Sequence, residues 1–263
     1  MYAVEYQRAK SVADAAAALA KTGGRALAGG QSLVGAMKLR LANPGTVVDL
    51  SGIAELKGVK KQGDAIVIGA LTTHADVASS AAVKQAIPAL AALAEGIGDR
   101  QVRNRGTIGG SIANSDPAAD YPAAVVALNA TIQTNKRKIA ADDFFKGLYE
   151  TALAPDEIIT SVSFPVPEKA AYVKFPQPAS RFALVGVFVA QTGSGVRVGV
   201  TGAGAHAHRA KAIEDALAKS FTPDAAKGVK IPAANLNSDL HGSAEYRAHL
   251  VSVLAGRAVA AAT

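Results

Sequence analysis

The spacing of apolar and polar positions changes repeatedly along the chain. From Ser11 to Lys21 small apolar residues recur at helical intervals (SVADAAAALAK), with Ser11 placed to cap, Asp14 in the first turn and Gly23-Gly24 as the stop. Arg25 to Ala28 reads as a short strand. Leu33 to Ala42 predicts a second helix ended by Asn43-Pro44-Gly45, and Thr46–Leu50 and Ala65–Ala70 read as strands. Val83 to Glu95 predicts a helix broken or bent at Pro88, and the stretch from Gly96 to Asp120, rich in Gly, Arg and small polar residues, predicts a long loop of the kind that carries function. Asp116-Pro117 reads as the cap and first position of a helix running to Leu128, with a strand Thr131–Thr134 behind it. Pro165 and Pro167 close a strand and suggest a domain boundary, giving units 1–167 and 168–263. Beyond it, Ala183–Ala190 and Val196–Thr201 read as a hairpin around Thr192-Gly193-Ser194-Gly195, and Ala210–Lys219 and Ser243–Ala262 as helices. The mixture is α+β.

With 263 residues, 49% of them hydrophobic, the chain can bury a large core. No apolar run approaches the roughly 20 residues of a membrane span, and the first residues lack the basic and apolar pattern of a secretory signal, so a cytoplasmic location is expected. Cysteine is absent, which excludes disulfides, thiolate-ligated iron–sulfur clusters and a sulfur-tethered flavin within this chain. The net charge of +7 raises the question of nucleic acid. The cations are spread thinly, however, with Lys136-Arg137-Lys138 the densest run and no interleaved aromatics, so no nucleic-acid role is expected.

Two glycine segments stand out. Ala28-Gly29-Gly30-Gln31-Ser32-Leu33 lies between a predicted strand and a predicted helix, where glycines let a backbone approach a phosphate and helix-start N–H groups face the anion. It matches neither the dinucleotide fingerprint nor the P-loop, and taken alone a Gly-Gly before a helix is more often just a tight turn. In the second, Gly106-Thr107-Ile108-Gly109-Gly110-Ser111 precedes Asn114, Ser115 and the carboxylates Asp116 and Asp120. Asp116 reads as a cap. Asp120 lies beyond the capping position, where it can serve as a first-turn charge or accept hydrogen bonds from a ribose or another polar ligand group.

Taken in order, AGGQSLVGAMKLRLA (28–42), IGALTTHADV (68–77), VRNRGTIGGSIANSDPAAD (102–120), DEIITSVSFPVP (156–167), YVKF (172–175) and FALVGVFVA (182–190) resemble the FAD-binding medium subunits of the molybdenum hydroxylases, the xanthine dehydrogenase and carbon monoxide dehydrogenase family. The resemblance covers nearly the whole chain. It implies a two-subdomain FAD-binding unit, PCMH or vanillyl-alcohol-oxidase-like, followed by a small antiparallel sheet with helices. It further implies that Gly29, Gly30, Gln31, Ser32 and Leu33 form the loop over the FAD pyrophosphate and that Thr107, Gly109, Gly110 and Ser111 form the second phosphate-contacting turn. Asp120 then binds the cofactor beyond that turn, Ile159 lines the flavin, Lys174 makes a polar contact near it, and Phe182 stands where relatives can place a tyrosine. Gln31 replaces a histidine of some relatives, and Arg181 replaces an aspartate, which bears on what the flavin meets on its exposed side. The FAD is expected to be non-covalent. Molybdopterin is expected on a large partner subunit and the [2Fe–2S] clusters on a small one, in a heterohexamer built as a dimer of heterotrimers. The substrate pocket is expected on another subunit.

Other residues carry less. His74 reads as a helix-start residue, with proton transfer near the flavin as the alternative. His206 and His208 lack a companion carboxylate or cysteine and read as non-ligands. Arg100, Arg103 and Arg105 read as a solvated basic face, or as groups that neutralise phosphates or dock a partner. A stand-alone FAD-dependent oxidoreductase of the related fold is the competing functional reading.

Overall fold

A computed structural model describes residues 1–263 and builds them around three larger sheets and a two-stranded ribbon. Near the N-terminus, strands Glu5–Arg8, Thr46–Asp49 and Arg25–Leu27 pair in parallel in that spatial order, with Thr46–Asp49 buried in the middle. The helix Val12–Thr22 crosses between them. Ser11 Oγ accepts from the Asp14 N–H at 3.1 Å, and Gly23, with φ of 62°, closes its end. The second sheet is antiparallel, in the order Val59–Gln62, Ala65–Gly69, Ile159–Pro165, Thr131–Thr134, Lys138–Ala140. Helices Ala81–Ala86 and Pro88–Glu95 pack nearby and are separated at Ile87 by the proline, as the sequence implies.

The third sheet is antiparallel, in the order Lys169–Pro176, Ala183–Thr192, Gly195–Thr201, His208–Arg209. The hairpin falls where the sequence places it, with Thr192 opposite Gly195. Residues 183–190 are buried without interruption rather than alternately. Both faces of this strand are covered, as a run with almost no polar residue requires. The long helix Ala244–Ala261 packs against the sheet, and the short, wholly buried helix Tyr121–Ala127 is also packed on it. Each fully buried Val in this run contributes about 1.5–3 kcal/mol. A Cβ on Gly199 would come within 2.1 Å of the Ala123 carbonyl oxygen, so the glycine lets the Tyr121–Ala127 backbone settle directly on the strand.

Three expectations need correction. The second helix ends at Lys38, not Ala42: Arg40 adopts a left-handed φ of 61°, and the Leu41 and Ala42 N–H groups turn back onto the Ala36 carbonyl. Residues 96–120 are not one loop, because helices Arg100–Arg103 and Ile108–Asn114 lie within them. The helix expected from Pro117 starts at Tyr121. Asp116 spends its carboxylate on the Ala118 N–H at 2.9 Å, and the carbonyls of Pro117 and Ala119 are taken by the third sheet through Gly202 N–H and the Thr201 hydroxyl, so residues 117–119 cannot wind.

Candidate functional site

The first glycine segment follows strand Arg25–Leu27 and opens the helix Leu33–Lys38. Gly30 has φ of 73°, a conformation in which other residues are strained. No backbone N–H from Gly29 through Gly35 finds an acceptor within the chain, and these residues are exposed or half-buried. Ser32 makes no side-chain capping bond, and Gln31 donates from Nε2 to the Gly29 carbonyl. The result is a run of free donors on a glycine-shaped ledge, which suits an anion.

The second segment lies against the first. A Cβ on Gly29 would meet the Arg105 carbonyl oxygen at 2.1 Å and Gly106 Cα at 2.8 Å, and one on Gly110 would stand 3.6 Å from Ala28 Cβ. The structure thus brings together two motifs some eighty residues apart in sequence. The donors of the second segment are largely committed. Ile108 N–H donates to Thr72 O at 3.1 Å, Gly109 N–H to Ala70 O at 2.9 Å, and Gly110 N–H to the capping Thr107 Oγ1 at 3.2 Å. The Ser111 N–H bonds Thr107 O. Gly109 packs on Ala70, where a Cβ would sit 2.6 Å from the alanine's own. The Gly109 and Gly110 amides are therefore bound within the fold, and the Thr107 N–H and Ser111 hydroxyl are the groups left to donate. This also explains the segment IGALTTHADV, which supplies the ledge on which the second glycine turn is hung.

Asp120, Lys174 and Tyr172 form a second cluster. The Tyr172 hydroxyl donates to Asp120 Oδ1 at 2.6 Å, and Lys174 Nζ donates to the same oxygen at 3.0 Å and to the Gly96 carbonyl at 2.9 Å. Asp120 Oδ2 has no protein partner. Burial pushes the Asp120 carboxyl above the usual carboxylate range, and the lysine and the hydroxyl offset this only in part. Tyr172 is pushed further up, first by burial and then by the neighbouring carboxylate. Lys174 sits opposite Gly186 in the strand pairing, and a Cβ on Gly186 would come within 2.3 Å of the Tyr172 hydroxyl. That glycine makes room for the contact. The motifs do not single out Tyr172 or Gly186, although KAAYVKF alternates so that Tyr172 and Lys174 share one face of the candidate site.

Gly96 to Gly98 gather three cations. Arg103 Nη1 donates to the carbonyls of Ile97 at 2.9 Å and Gly98 at 3.1 Å, Arg181 Nη1 reaches the Gly98 carbonyl, and Lys174 holds Gly96. Arg103 is therefore bonded into the fold, whereas the Arg100 and Arg105 side chains stay exposed. Ile159 is buried in the second sheet at a register shift, beside Thr160, whose carbonyl accepts from Ala70 N–H. Phe182 is 47% exposed at the end of a turn in which Arg181 has φ of 64°. His74 is buried, and its backbone N–H donates to the Gly106 carbonyl at 3.0 Å. Nδ1 of His206 and of His208 each bonds a backbone carbonyl, and no group of three or more metal-ligating side chains occurs in the chain.

Residues 2–167 match the model of the FAD binding domain in molybdopterin dehydrogenase. The chain is 37% identical to the nicotine 6-hydroxylase medium subunit of Paenarthrobacter nicotinovorans, covering 98% of this chain and 96% of that one. It is 36% identical to the carbon monoxide dehydrogenase medium chain of Hydrogenophaga pseudoflava, again covering 98% and 96%. Its backbone matches a chain of the solved carbon monoxide dehydrogenase of the same organism, in the form that lacks the Mo-pyranopterin moiety of the molybdenum cofactor, with a TM-score of 0.89 over 99% of this chain and 97% of that chain. With the two glycine segments joined at one edge and likeness running from end to end, the chain belongs to the FAD-binding medium subunits of the molybdopterin dehydrogenases.

Proposed function

We propose that this chain is the flavin-carrying electron-transfer subunit of a molybdenum hydroxylase. It takes electrons from [2Fe–2S] clusters on a small partner subunit, which serve a molybdopterin centre on a large one, and releases them to an external acceptor. The observation that carries this reading is the run of partnerless N–H groups from Gly29 to Gly35, stacked on the backbone of the second glycine segment. Residues 1–167 act as the FAD-binding unit with its two subdomains, and 168–263 as the unit that closes over it. The whole works in a heterohexamer, a dimer of heterotrimers.

In this reading Gly29, Gly30, Gln31, Ser32 and Leu33 hold the pyrophosphate through backbone N–H groups, aided by the Thr107 N–H and the Ser111 hydroxyl. Gly109 and Gly110 contribute close packing rather than donors. Asp120 offers Oδ2 to a polar group of the cofactor, with Tyr172 and Lys174 fixing its carboxylate. Ile159 and Phe182 supply apolar surface for the ring system. Bound FAD supplies the conversion between single electrons from the clusters and the acceptor's chemistry. The chain itself orients and shields, and no residue is needed as general acid or base. The two relatives are named for carbon monoxide and for nicotine yet match at 36% and 37%, which fits substrate choice residing on another subunit.

With no cysteine and no histidine in either glycine segment, the FAD is held without a covalent bond. Acid or heat should release it into the supernatant as FAD rather than FMN, and flavin retained on the precipitated chain would overturn that assignment. Purified alone, the subunit should bind FAD but show no flavin reduction by purines, aldehydes or carbon monoxide. Turnover at a rate typical of enzymes, roughly 1 to 10³ per second, would make it a stand-alone oxidoreductase.

A further inference from the structure

Only two sealed side-chain polar atoms in the chain lack a hydrogen-bond partner, His74 Nδ1 and the Tyr121 hydroxyl, and they belong to neighbouring rings whose centroids lie 5.3 Å apart with a tilt of 48°. Buried polar groups are nearly always satisfied, and phenylalanine would fill either place without the cost. Two such groups side by side point to a use.

Their position suggests which. His74 opens the helix His74–Ser79, and its Nε2 lies against Gly106, where an added Cβ would approach it to 2.5 Å. Gly29 of the first glycine segment stands on the same residue, its own added Cβ 2.8 Å from Gly106 Cα. Tyr121 follows Asp120 directly in the chain. The two rings thus connect the floor of the glycine ledge with the Asp120 cluster. Burial, assisted by the Arg103 charge, lowers the His74 imidazole to about 4, so at neutral pH it carries one proton on one of its two nitrogens.

We propose, resting on the FAD reading above, that His74 is a cofactor-binding residue and Tyr121 its positioning residue. The Tyr121 hydroxyl donates to His74 Nδ1, which fixes the Nε2–H tautomer, and that N–H is presented beside Gly106 to a phosphate oxygen of the cofactor. The rings close the remaining gap when the cofactor binds, as hydrogen bonds at binding sites commonly do. At neutral pH nothing in this arrangement titrates. The histidine serves as a neutral donor where a cation would be costly to bury.

The test compares FAD titration with thermal melts of the cofactor-free chain for wild type, His74→Phe, His74→Gln and Tyr121→Phe. His74→Phe should bind FAD at least about tenfold more weakly, the loss expected for one hydrogen bond to a charged group, while its cofactor-free melting point stays level or rises. His74→Gln carries an N–H to the same place and should recover most of the affinity, and Tyr121→Phe should show a smaller loss. In wild-type chain labelled with ¹⁵N-histidine, one of the five histidines should show the Nε2–H tautomer and shift on adding FAD. Equal affinity in wild type and His74→Phe overturns the proposal, as does a histidine spectrum unmoved by FAD. Should His74→Phe fail to fold, the Tyr121→Phe titration and the spectrum decide in the same way. A wild type that binds no FAD refutes the functional reading instead, which keeps the two failures apart.

Discussion

At Gly186 the missing side chain is what admits the Tyr172 hydroxyl to Asp120. Gly186→Ala should displace that hydroxyl, leave Lys174 alone beside a buried carboxylate, and destabilise the chain by about 1–3 kcal/mol in denaturant unfolding. In a Tyr172→Phe background the same substitution should cost clearly less, because there is no hydroxyl to displace; equal costs in both backgrounds would disconnect the glycine from the cluster. Gly30→Val should weaken FAD binding far more than folding, since its φ of 73° and the ledge both exclude a β-branch. Titration and melts of the cofactor-free forms separate those effects. His74 also carries a pH signature. Its folded pKa of about 4 lies below the ordinary 6.5, so above pH 6.5 the ring is neutral in both states and carries no penalty. As the pH falls toward 4 the unfolded chain takes up the proton first, and the folded form loses a total of about 3 kcal/mol. His74→Phe should flatten the stability curve across that interval.

Among the elements, the turn joining Thr131–Thr134 to Lys138–Ala140 is locked to the start of strand Ile159–Pro165 by Glu157. Its carboxylate accepts from Arg137 Nε at 3.0 Å and Nη2 at 3.1 Å, from the Thr134 hydroxyl at 2.7 Å and from Ala154 N–H at 3.0 Å. The Arg137 guanidinium holds this carboxyl down at about 2, against burial that acts to raise it. The stability it brings is whole above the ordinary value of 4.5 and disappears as the pH falls to about 2, so Glu157→Gln should remove the acid-sensitive limb below 4.5 in unfolding monitored by circular dichroism. Elements with strong local signals were legible in the sequence: Ser11 and Gly23 bracket their helix, Pro88 separates Ala81–Ala86 from Pro88–Glu95, and Thr192 to Gly195 turn the hairpin. Ile108–Asn114 was not, because Gly109 and Gly110 are poor helix formers and the helix is organised by carbonyls from Ala70 and Thr72 that local pattern cannot reveal. The start of the next helix was misplaced for a similar reason, since the claims of Thr201 and Gly202 on Pro117 and Ala119 come from another sheet. Of the candidate site, the glycine ledge and the proposed residues Asp120 and Lys174 rest on motif order and resemblance alone. That Asp120 and Lys174 touch, and that Tyr172 joins them, required the sheet register.

On the scale of the whole molecule, the change of sheet near Pro167 does not divide the core. Helix Tyr121–Ala127 is buried on every residue, belongs to the same apolar cluster as the second sheet, and rests on the third through Gly199. Arg197 adds a bond from Nε to the Val126 carbonyl and an ion pair with Asp142. A fragment ending at Pro167 should expose the face of that helix and aggregate, and calorimetry of the intact chain should show one transition with equal calorimetric and van't Hoff enthalpies. The seam has a consequence for how damage would be read. Asp120 immediately precedes the helix, so a lesion on the opposite side of the seam pushes on the Asp120 cluster proposed to meet the cofactor. Gly199→Val, in a strand holding none of the residues assigned to FAD, should yield chain with low flavin content per mole. In cells such a defect would present as flavin deficiency, partly corrected by raising the riboflavin supply, because ligand in excess draws the folded form back by mass action.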